Sequence, residues 1–449
     1  MGNLIISISG IRGVYGDCLT EKQALHTGRA FGLWMSEENV IIGRDTRKSG
    51  ESLKESFVRG LMETGKNVYD VGIAPTPALT WFVEKHADFC GAIITASHNP
   101  AQYNGIKLIG SSGTFLNLKE FTSFFKIYKS LKKNKSIKMG RYHSYDVLID
   151  QFFESLMDCI DCNVIKEKNF KVVVDPVEGA GAIYSRKFLE MLGCSVVMIN
   201  EYPAGEFSRD PEPMPCNLTA LSKEVTYRSA SVGFAQDPDC DRLALVAEDG
   251  SFVSEEKGLA LLIGWMLQRK KGPVVVNVAT TKIIDDLCNQ FNVKLARTKV
   301  GEVHVVETMK KIGAVAGGEG NGGIVMPEFH YGRDSFAGMA LTLEMMAKTN
   351  LKLSEMLKHL PEYFFIKKKL AFPVTRIERL YKRLEKEFSS GKVSYTDGLR
   401  IDFEDEWIGV RPSGTEPVIR VFVEGEKKEK VFATLKLIED QITFCCRKP

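Results

Sequence analysis

The sequence lacks a surplus of charge of either sign: 60 Lys and Arg face 57 Asp and Glu, a net +3 over 449 residues. On a chain this large, such a balance carries no footprint of a nucleic-acid or membrane-surface binder. Long hydrophobic runs are missing as well. The longest, Gly258 to Leu267, falls well short of the roughly 20 residues a membrane span needs. The opening Met1-Gly2-Asn3-Leu4-Ile5-Ile6 has no basic region and no cleavage site, and Ile6 stands where a myristoylation signal wants Ser or Thr. Cysteine is sparse, 10 in all, which excludes a disulfide scaffold. Cys159 and Cys162 form a CxxC with no second pair, and their apolar and acidic neighbours read as a helix end bearing incidental thiols. These absences predict a reducing, cytoplasmic compartment. What remains is ordinary globular usage, 44% apolar and 26% charged, which excludes a disordered, collagen-like or coiled-coil chain.

At about 150 residues per domain, length alone predicts roughly three domains. A repeated layout refines this. β-branched runs at Asn39-Gly43, Lys171-Asp175 and Pro273-Val278 each lead through a helical stretch to a second strand, at Val68-Val71, Ser195-Ile199 and Val293-Arg297. Another helical stretch and a third strand follow, at Gly91-Thr95, Ser231-Ala235 and Gly313-Ala316. Alternating strands and helices imply mainly parallel sheets flanked by helices. The last stretch breaks the pattern: a helix near Ile377-Phe388, strands Arg400-Phe403, Glu406-Val410 and Val418-Glu424, and a helix from about Lys427 to Thr443. The expected architecture is three successive α/β domains, 1–150, 151–252 and 253–365, followed by a two-layer α+β domain, 366–449.

Each third strand runs into an unusual loop, and ligands of open parallel sheets bind at the carboxyl ends of strands. Three such loops at equivalent points predict one shared site. Asp237, Asp239 and Asp241 fall at i, i+2 and i+4, so an extended segment turns all three carboxylates to one side. They repel one another unless a cation intervenes, and oxygen ligands completed by phosphate and water suit Mg²⁺. Removing Asp239 is then expected to leave the metal-free fold as stable, or slightly more so. An EF-hand fails, because position 6 of the loop is Arg242 where Gly is required. Ser97 has no GxSxG elbow, but His98, Lys107 and the acidic loop are its company. A hydroxyl beside a cation-binding cluster suits a phosphoryl carrier. Glu319 and Asn321 offer acceptors and donors suited to sugar hydroxyls. Arg411-Pro412-Ser413-Gly414-Thr415 reads as an anion cradle, with a planar fork, two hydroxyls and a glycine for close backbone approach. Two other patterns are dismissed. Gly60-x4-Gly65-Lys66 lacks the Ser or Thr of a P-loop, and Gly318-x-Gly320-x-x-Gly323 is followed by strand and Pro327 where a dinucleotide fold needs a helix.

Thr95-Ala96-Ser97-His98-Asn99-Pro100, Asp237-Pro238-Asp239-Cys240-Asp241-Arg242, Gly318-Glu319-Gly320-Asn321-Gly322-Gly323 and Arg411-Pro412-Ser413-Gly414-Thr415-Glu416-Pro417 resemble the four active-site loops of the α-D-phosphohexomutases. Ser9-Gly10-Ile11-Arg12-Gly13 is similar to that family's amino-terminal signature. The resemblance spans the chain in order and implies four domains around a central cleft. It implies an isomerase, an intramolecular phosphotransferase with a phosphoserine at Ser97. One Mg²⁺ per chain would be held by that phosphate with Asp237, Asp239 and Asp241. Glu319 and Asn321 would bind the sugar, and Arg411, Ser413, Gly414 and Thr415 the substrate phosphate. Lys107 of Asn104-Gly105-Ile106-Lys107 would move protons, with His98 the second candidate, and Arg12, His98 and Arg242 would lie near the phosphoserine. A neutral-pH base requires Lys107 to be partly desolvated or beside another cation. Where many members carry Gly-Glu-Met-Ser or Gly-Glu-Gln-Ser, this sequence has Asn321 and Gly323, a form that looks like the branch of phosphoglucosamine mutases. The expected reaction interconverts glucosamine 6- and 1-phosphates through a 1,6-bisphosphate that also serves as activator; the alternative is a phosphomannomutase or phosphoglucomutase. The expected partner is a small sugar phosphate, with no nucleic acid or membrane, in a cytoplasmic monomer or homodimer.

Overall fold

The computed structural model describes residues 4–131, 139–413 and 418–447. It has the four-domain α/β architecture, ending in an antiparallel sheet domain. The chain forms two compact units, Met1–Trp265 with Asn321–Leu357, and Met266–Gly320 with Lys358–Pro449. No helix among the described residues is long and apolar enough to cross a membrane.

The first unit carries two mixed sheets. In the seven-stranded sheet, Asn39–Arg44 lies parallel to Asn67–Ile73 and to Phe89–Ile94. Phe89–Ile94 then pairs antiparallel with Tyr103–Ile109, a strand the sequence pattern does not reveal. In the five-stranded sheet, Lys171–Asp175 is parallel to Ser195–Met198 and Val232–Gln236, and Val232–Gln236 is antiparallel to Leu243–Ala247. Phe89–Ile94, Val232–Gln236 and Leu243–Ala247 are buried at every position, which explains their near-continuous apolar sequences. Helices Glu21–Trp34 and Gly50–Met62 pack closely because Gly28 and Gly60 leave no side chain between them. A Cβ on Gly28 would sit 2.1 Å from the carbonyl oxygen of Phe57.

In the second unit, Val274–Asn277 lies between Leu295–Thr298 and Ala316–Glu319, all parallel. The last of these corrects the expected strand Gly313-Ala316. Gly313 ends the helix Glu302–Ile312 at φ +63°, its N–H bonded to Met309 O. The strand starts later and contains Gly317, where a Cβ would come within 2.4 Å of Val275 O. The carboxyl-terminal sheet runs Phe364–Ala371, Val418–Gly425, Glu406–Pro412, Leu399–Asp402, Lys392–Ser394, antiparallel throughout. Helices Ile377–Glu387 and Lys428–Arg447 close one layer over it through Leu380, Leu384, Val431, Leu435 and Ile438, packed on Ile401, Ile408, Val421 and Val423. Phe364–Ala371 was missed because three consecutive lysines interrupt its alternation. All ten cysteines are free. Cys159 follows the helix Leu148–Met157 and Cys162 opens the next.

Candidate functional site

The first unit gathers the Ser97 loop and the acidic loop of the sequence. Three residues past Phe89–Ile94, Ser97 is buried in a left-handed conformation (φ +49°). Its N–H donates to Thr95 Oγ1 at 2.9 Å, and Thr95 Oγ1 donates to Asp45 Oδ2 at 2.6 Å. Ser97 Oγ donates to Asp237 Oδ2 at 2.8 Å and lies 3.3 Å from His98 Nδ1.

Asp237, Asp239 and Asp241 are fully buried, with ligand atoms all within 4.8 Å of one another. They do not converge by strand alternation. Val232–Gln236 ends before Asp237, and a turn with Cys240 at φ +61° carries the chain into Leu243–Ala247. Asp237 Oδ1 holds that turn by accepting the N–H groups of Asp241 and Arg242, each at 3.1 Å. Asp239 Oδ2 accepts from Thr76 Oγ1 at 2.7 Å and from Lys107 Nζ at 2.6 Å. Asp241 Oδ2 accepts from Lys107 Nζ at 3.3 Å and from Arg333 Nη2 at 2.5 Å.

Burial, reinforced by Asp241 and Asp239, pushes the Asp237 carboxyl well above the usual range. Burial acts the same way on Asp239, but Lys107, together with hydrogen bonds from Asp237 and Thr76, outweighs it and holds that carboxyl below the ordinary value. For Lys107, burial works to lower the pKa, while Asp239 and Asp241 more than reverse it, so the ammonium is favoured. The desolvation that a neutral-pH lysine base needs is present; the two carboxylates cancel its effect. Burial first, then the charges of Arg242 and Arg12, bring His98 down to about 2, so it is neutral at pH 7.

The donor set fits a hard divalent cation. It is all oxygen and buried, and Asp239 Oδ1 and Asp241 Oδ1 have no hydrogen-bond partner among the described residues. Lys107, Arg333 and, at 3.9 Å, Arg242 pair with Asp239 and Asp241, whereas Asp237 has no ion pair among the described residues.

Arg12 reaches the serine loop through Nη1, which donates to Asn99 Oδ1 at 2.7 Å. Arg242 pairs with Glu212 at 3.3 Å. Sequence reasoning missed Arg47, Thr76 and Arg333 as members of this constellation. Arg47 and Asp45 stand at the end of Asn39–Arg44, the same strand-end position as the other loops, and that placement was the available signal. Arg333 was visible only as a neighbour of the sugar loop. Asn321 also belongs to this unit, and its Oδ1 is buried without a partner.

The second unit contains the remaining predicted residues. Glu319 ends a strand and is buried, where the sequence reading put it in a loop. Its Oε1 accepts from Asn277 Nδ2 at 2.9 Å and from Gly301 N at 2.8 Å. Arg411 lies near the end of Glu406–Pro412, which pairs antiparallel with Val418–Gly425, and Ser413 N donates to Val418 O at 2.8 Å. Gly414 and Thr415 lie outside the described residues.

Four family models match the chain in order: the phosphoglucomutase/phosphomannomutase alpha/beta/alpha domain I over residues 4–138, domain II over 150–250, domain III over 255–364, and the C-terminal domain over 367–440. A phosphoglucomutase/phosphomannomutase of Thermococcus kodakarensis is 38% identical over 438 residues, covering 95% of this chain and 96% of its own. A protein of Pyrococcus abyssi named "Probable phosphoglucosamine mutase" is 36% identical, covering 97% of each. The crystal structure of a phosphoglucomutase/phosphomannomutase family protein from Burkholderia thailandensis superposes with a TM-score of 0.86 at 27% identity, over 99% of both chains. An N-acetylphosphoglucosamine mutase of Aspergillus fumigatus, solved with GlcNAc-6P and magnesium, shares the fold at a TM-score of 0.61 and 13% identity, over 98% of this chain and 95% of that one. The chain belongs to the phosphoglucomutase/phosphomannomutase family, within the α-D-phosphohexomutases, and is an isomerase that works by phosphoryl transfer.

Proposed function

We propose that the enzyme interconverts glucosamine 6-phosphate and glucosamine 1-phosphate through phospho-Ser97 and a glucosamine 1,6-bisphosphate. The observation that carries this reading is the Ser97 hydroxyl, buried and 2.8 Å from a carboxylate of the acidic triad. A phosphate there adds about −1.5 to −2 charge beside Asp237, the one carboxylate of the triad with no ion pair among the described residues. Asp237, Asp239, Asp241 and the phosphate of Ser97 would hold Mg²⁺, which when bound supplies positive charge to a transferring phosphoryl group.

In the first half-reaction the P–O bond to Ser97 breaks, and a new P–O bond forms to the free sugar hydroxyl, whose proton leaves. The bisphosphate then turns over. Its other phosphoryl group passes to Ser97 Oγ, and the released sugar oxygen takes back a proton. Such transfers depend on positioning and charge stabilisation more than on covalent assistance. Lys107, paired with Asp239 and Asp241, is a proton donor and a positive charge. His98 Nδ1, at 3.3 Å from Ser97 Oγ, is neutral and orients that oxygen by a hydrogen bond. Arg411 and Ser413 bind the substrate's second phosphate, with Gly414 and Thr415. Glu319 and Asn321 read the sugar.

The glucosamine assignment is supported by relatives carrying that name, such as those of Pyrococcus abyssi and Methanopyrus kandleri. A glucose or mannose phosphate is the second reading, favoured by the 38% identical Thermococcus kodakarensis protein. Ser97→Ala tests the mechanism. Mutase turnover should fall below detection, and the single extra phosphate seen on the wild-type protein by intact mass spectrometry should disappear. Wild-type-like turnover by Ser97→Ala would sink the phosphoserine mechanism.

A further inference from the structure

We propose that Asp397 is a positioning residue that keeps the substrate-phosphate ligand Arg411 in register with the sugar ligand Glu319. This rests on the reading of those two residues given under Proposed function. Asp397 Oδ2 lies 3.1 Å from Arg411 Nε and accepts the backbone N–H of Val300 at 3.0 Å. The next residue, Gly301, donates its N–H to Glu319 Oε1 at 2.8 Å. One carboxylate oxygen therefore joins the carboxyl-terminal hairpin to the turn that fixes Glu319, within one compact unit.

The turn bearing Asp397 is itself pressed against Arg411. Gly398 adopts φ +81°, and a Cβ there would lie 2.5 Å from Val410 O and 2.8 Å from Arg411 Cα. Both the backbone and the guanidinium of Arg411 are thus set by this turn. The ion pair leaves the donors of Arg411 unspent. Nε does not point at the carboxylate, and Arg411 makes no side-chain hydrogen bond among the described residues.

Electrostatics alone argue against a carboxylate at this place, because a negative charge beside an anion ligand opposes phosphate binding. What Asp397 supplies is geometry. A sugar phosphate must meet Arg411 and Glu319 together, and misplacing one by about 1 Å costs on the order of 100-fold in rate. Free phosphate needs only Arg411 and has no register to satisfy.

The two effects separate in one experiment. Asp397→Asn is close to isosteric and keeps an acceptor for Val300. Its kcat/KM for glucosamine 6-phosphate should fall at least tenfold, while inorganic phosphate inhibits as strongly as in wild type or more strongly. Asp397→Glu, which keeps the charge but moves it by one methylene, should lose kcat/KM likewise. Combining Asp397→Asn with Glu319→Gln should cost less than the product of the two single losses. Unchanged kcat/KM, phosphate inhibition weakened in proportion, or multiplicative losses would each overturn the proposal. Arg411→Ala separates the two levels of argument. If it leaves KM and phosphate inhibition unchanged, Arg411 is not the phosphate ligand and the proposal falls with that reading. If it raises KM and weakens phosphate inhibition while Asp397→Asn does nothing, only the proposal fails.

Discussion

Arg47 donates through Nη2 to the carbonyl oxygen of Ser97 at 2.6 Å, so the residue read as phosphoryl carrier is held by its backbone. The same guanidinium takes Asn99 O at 2.6 Å, Pro100 O at 2.7 Å and Tyr103 O at 2.9 Å, with Nε on Asp45 Oδ2 at 2.9 Å. Arg47 is 1% exposed and Asp45 fully buried, so these contacts lie in a low-dielectric setting where leaving any group unpaired is costly. Asp45 completes the loop through Thr95 and the N–H of Ser97.

Arg47→Lys keeps the charge and loses the fork that spans four carbonyl oxygens. Pro100 O keeps the N–H of Tyr103 at 3.0 Å, but at least one of the others is left without a donor, at about 1–3 kcal/mol. The variant should fold with a clearly lower Tm, and its Ser97 should be phosphorylated more slowly by sugar bisphosphate. Calorimetry and intact mass against time check both. A normal Tm with normal phosphorylation would mean the loop holds itself.

Asp237 and Asp239 are expected to respond in opposite ways to loss of charge. Asp239 is bonded to Lys107 and Thr76, whereas Asp237 forms no ion pair among the described residues. This corrects the expectation that removing Asp239 leaves the metal-free fold unharmed, which assumed three uncompensated carboxylates. In EDTA, Asp239→Asn should lower stability by about 1.5–3 kcal/mol, the range of a hydrogen bond between charged groups. Asp237→Asn should leave it unchanged or raise it, since a buried unpaired charge is removed. Both variants should lose Mg²⁺-dependent activity, and wild type should lose it in EDTA and regain it with Mg²⁺. Equal stability changes for the two would show that Lys107 does not discriminate between them.

The parts that sequence reveals are those governed by local rules. Lys171–Asp175 is legible because Val172 to Val174 are β-branched between turn residues, and the acidic triad because three carboxylates at alternate positions are rare without purpose. Arg47 was not legible. Its role depends on carbonyl oxygens about fifty residues away, and a guanidinium in a fold-wide network looks in sequence like any surface cation. The strand carrying Lys107 was hidden for a related reason. Tyr103–Ile109 is buried by antiparallel pairing with Phe89–Ile94 and Gly10–Val14, which composition does not announce. Glu319 was misplaced because Gly317 and Gly318 look like a loop, when the missing side chain of Gly317 admits the neighbouring strand.

The proposed preference for glucosamine turns on one unpaired atom. Asn321 Oδ1 is buried and accepts no hydrogen bond among the described residues, an arrangement that costs stability unless a ligand supplies the donor. Glu319, the other predicted sugar ligand, already accepts from Asn277 and Gly301 through Oε1. An ammonium at C2 of the sugar would give Asn321 a charge-assisted bond worth about 1.5–3 kcal/mol, against about 0.5–1.5 kcal/mol for a neutral hydroxyl. Wild type should therefore prefer glucosamine 6-phosphate over glucose and mannose 6-phosphates in kcat/KM, by roughly 10- to 150-fold at most if the whole charged bond is at stake. Asn321→Ala removes the acceptor and should bring the three sugars to within about threefold of one another, mainly by lowering the value for glucosamine. Measuring the three ratios on fully phosphorylated protein decides it. If glucose or mannose phosphate wins in wild type, the glucosamine assignment is wrong and the mutase reading stands. If glucosamine wins and Asn321→Ala leaves its advantage intact, the preference is read by another residue.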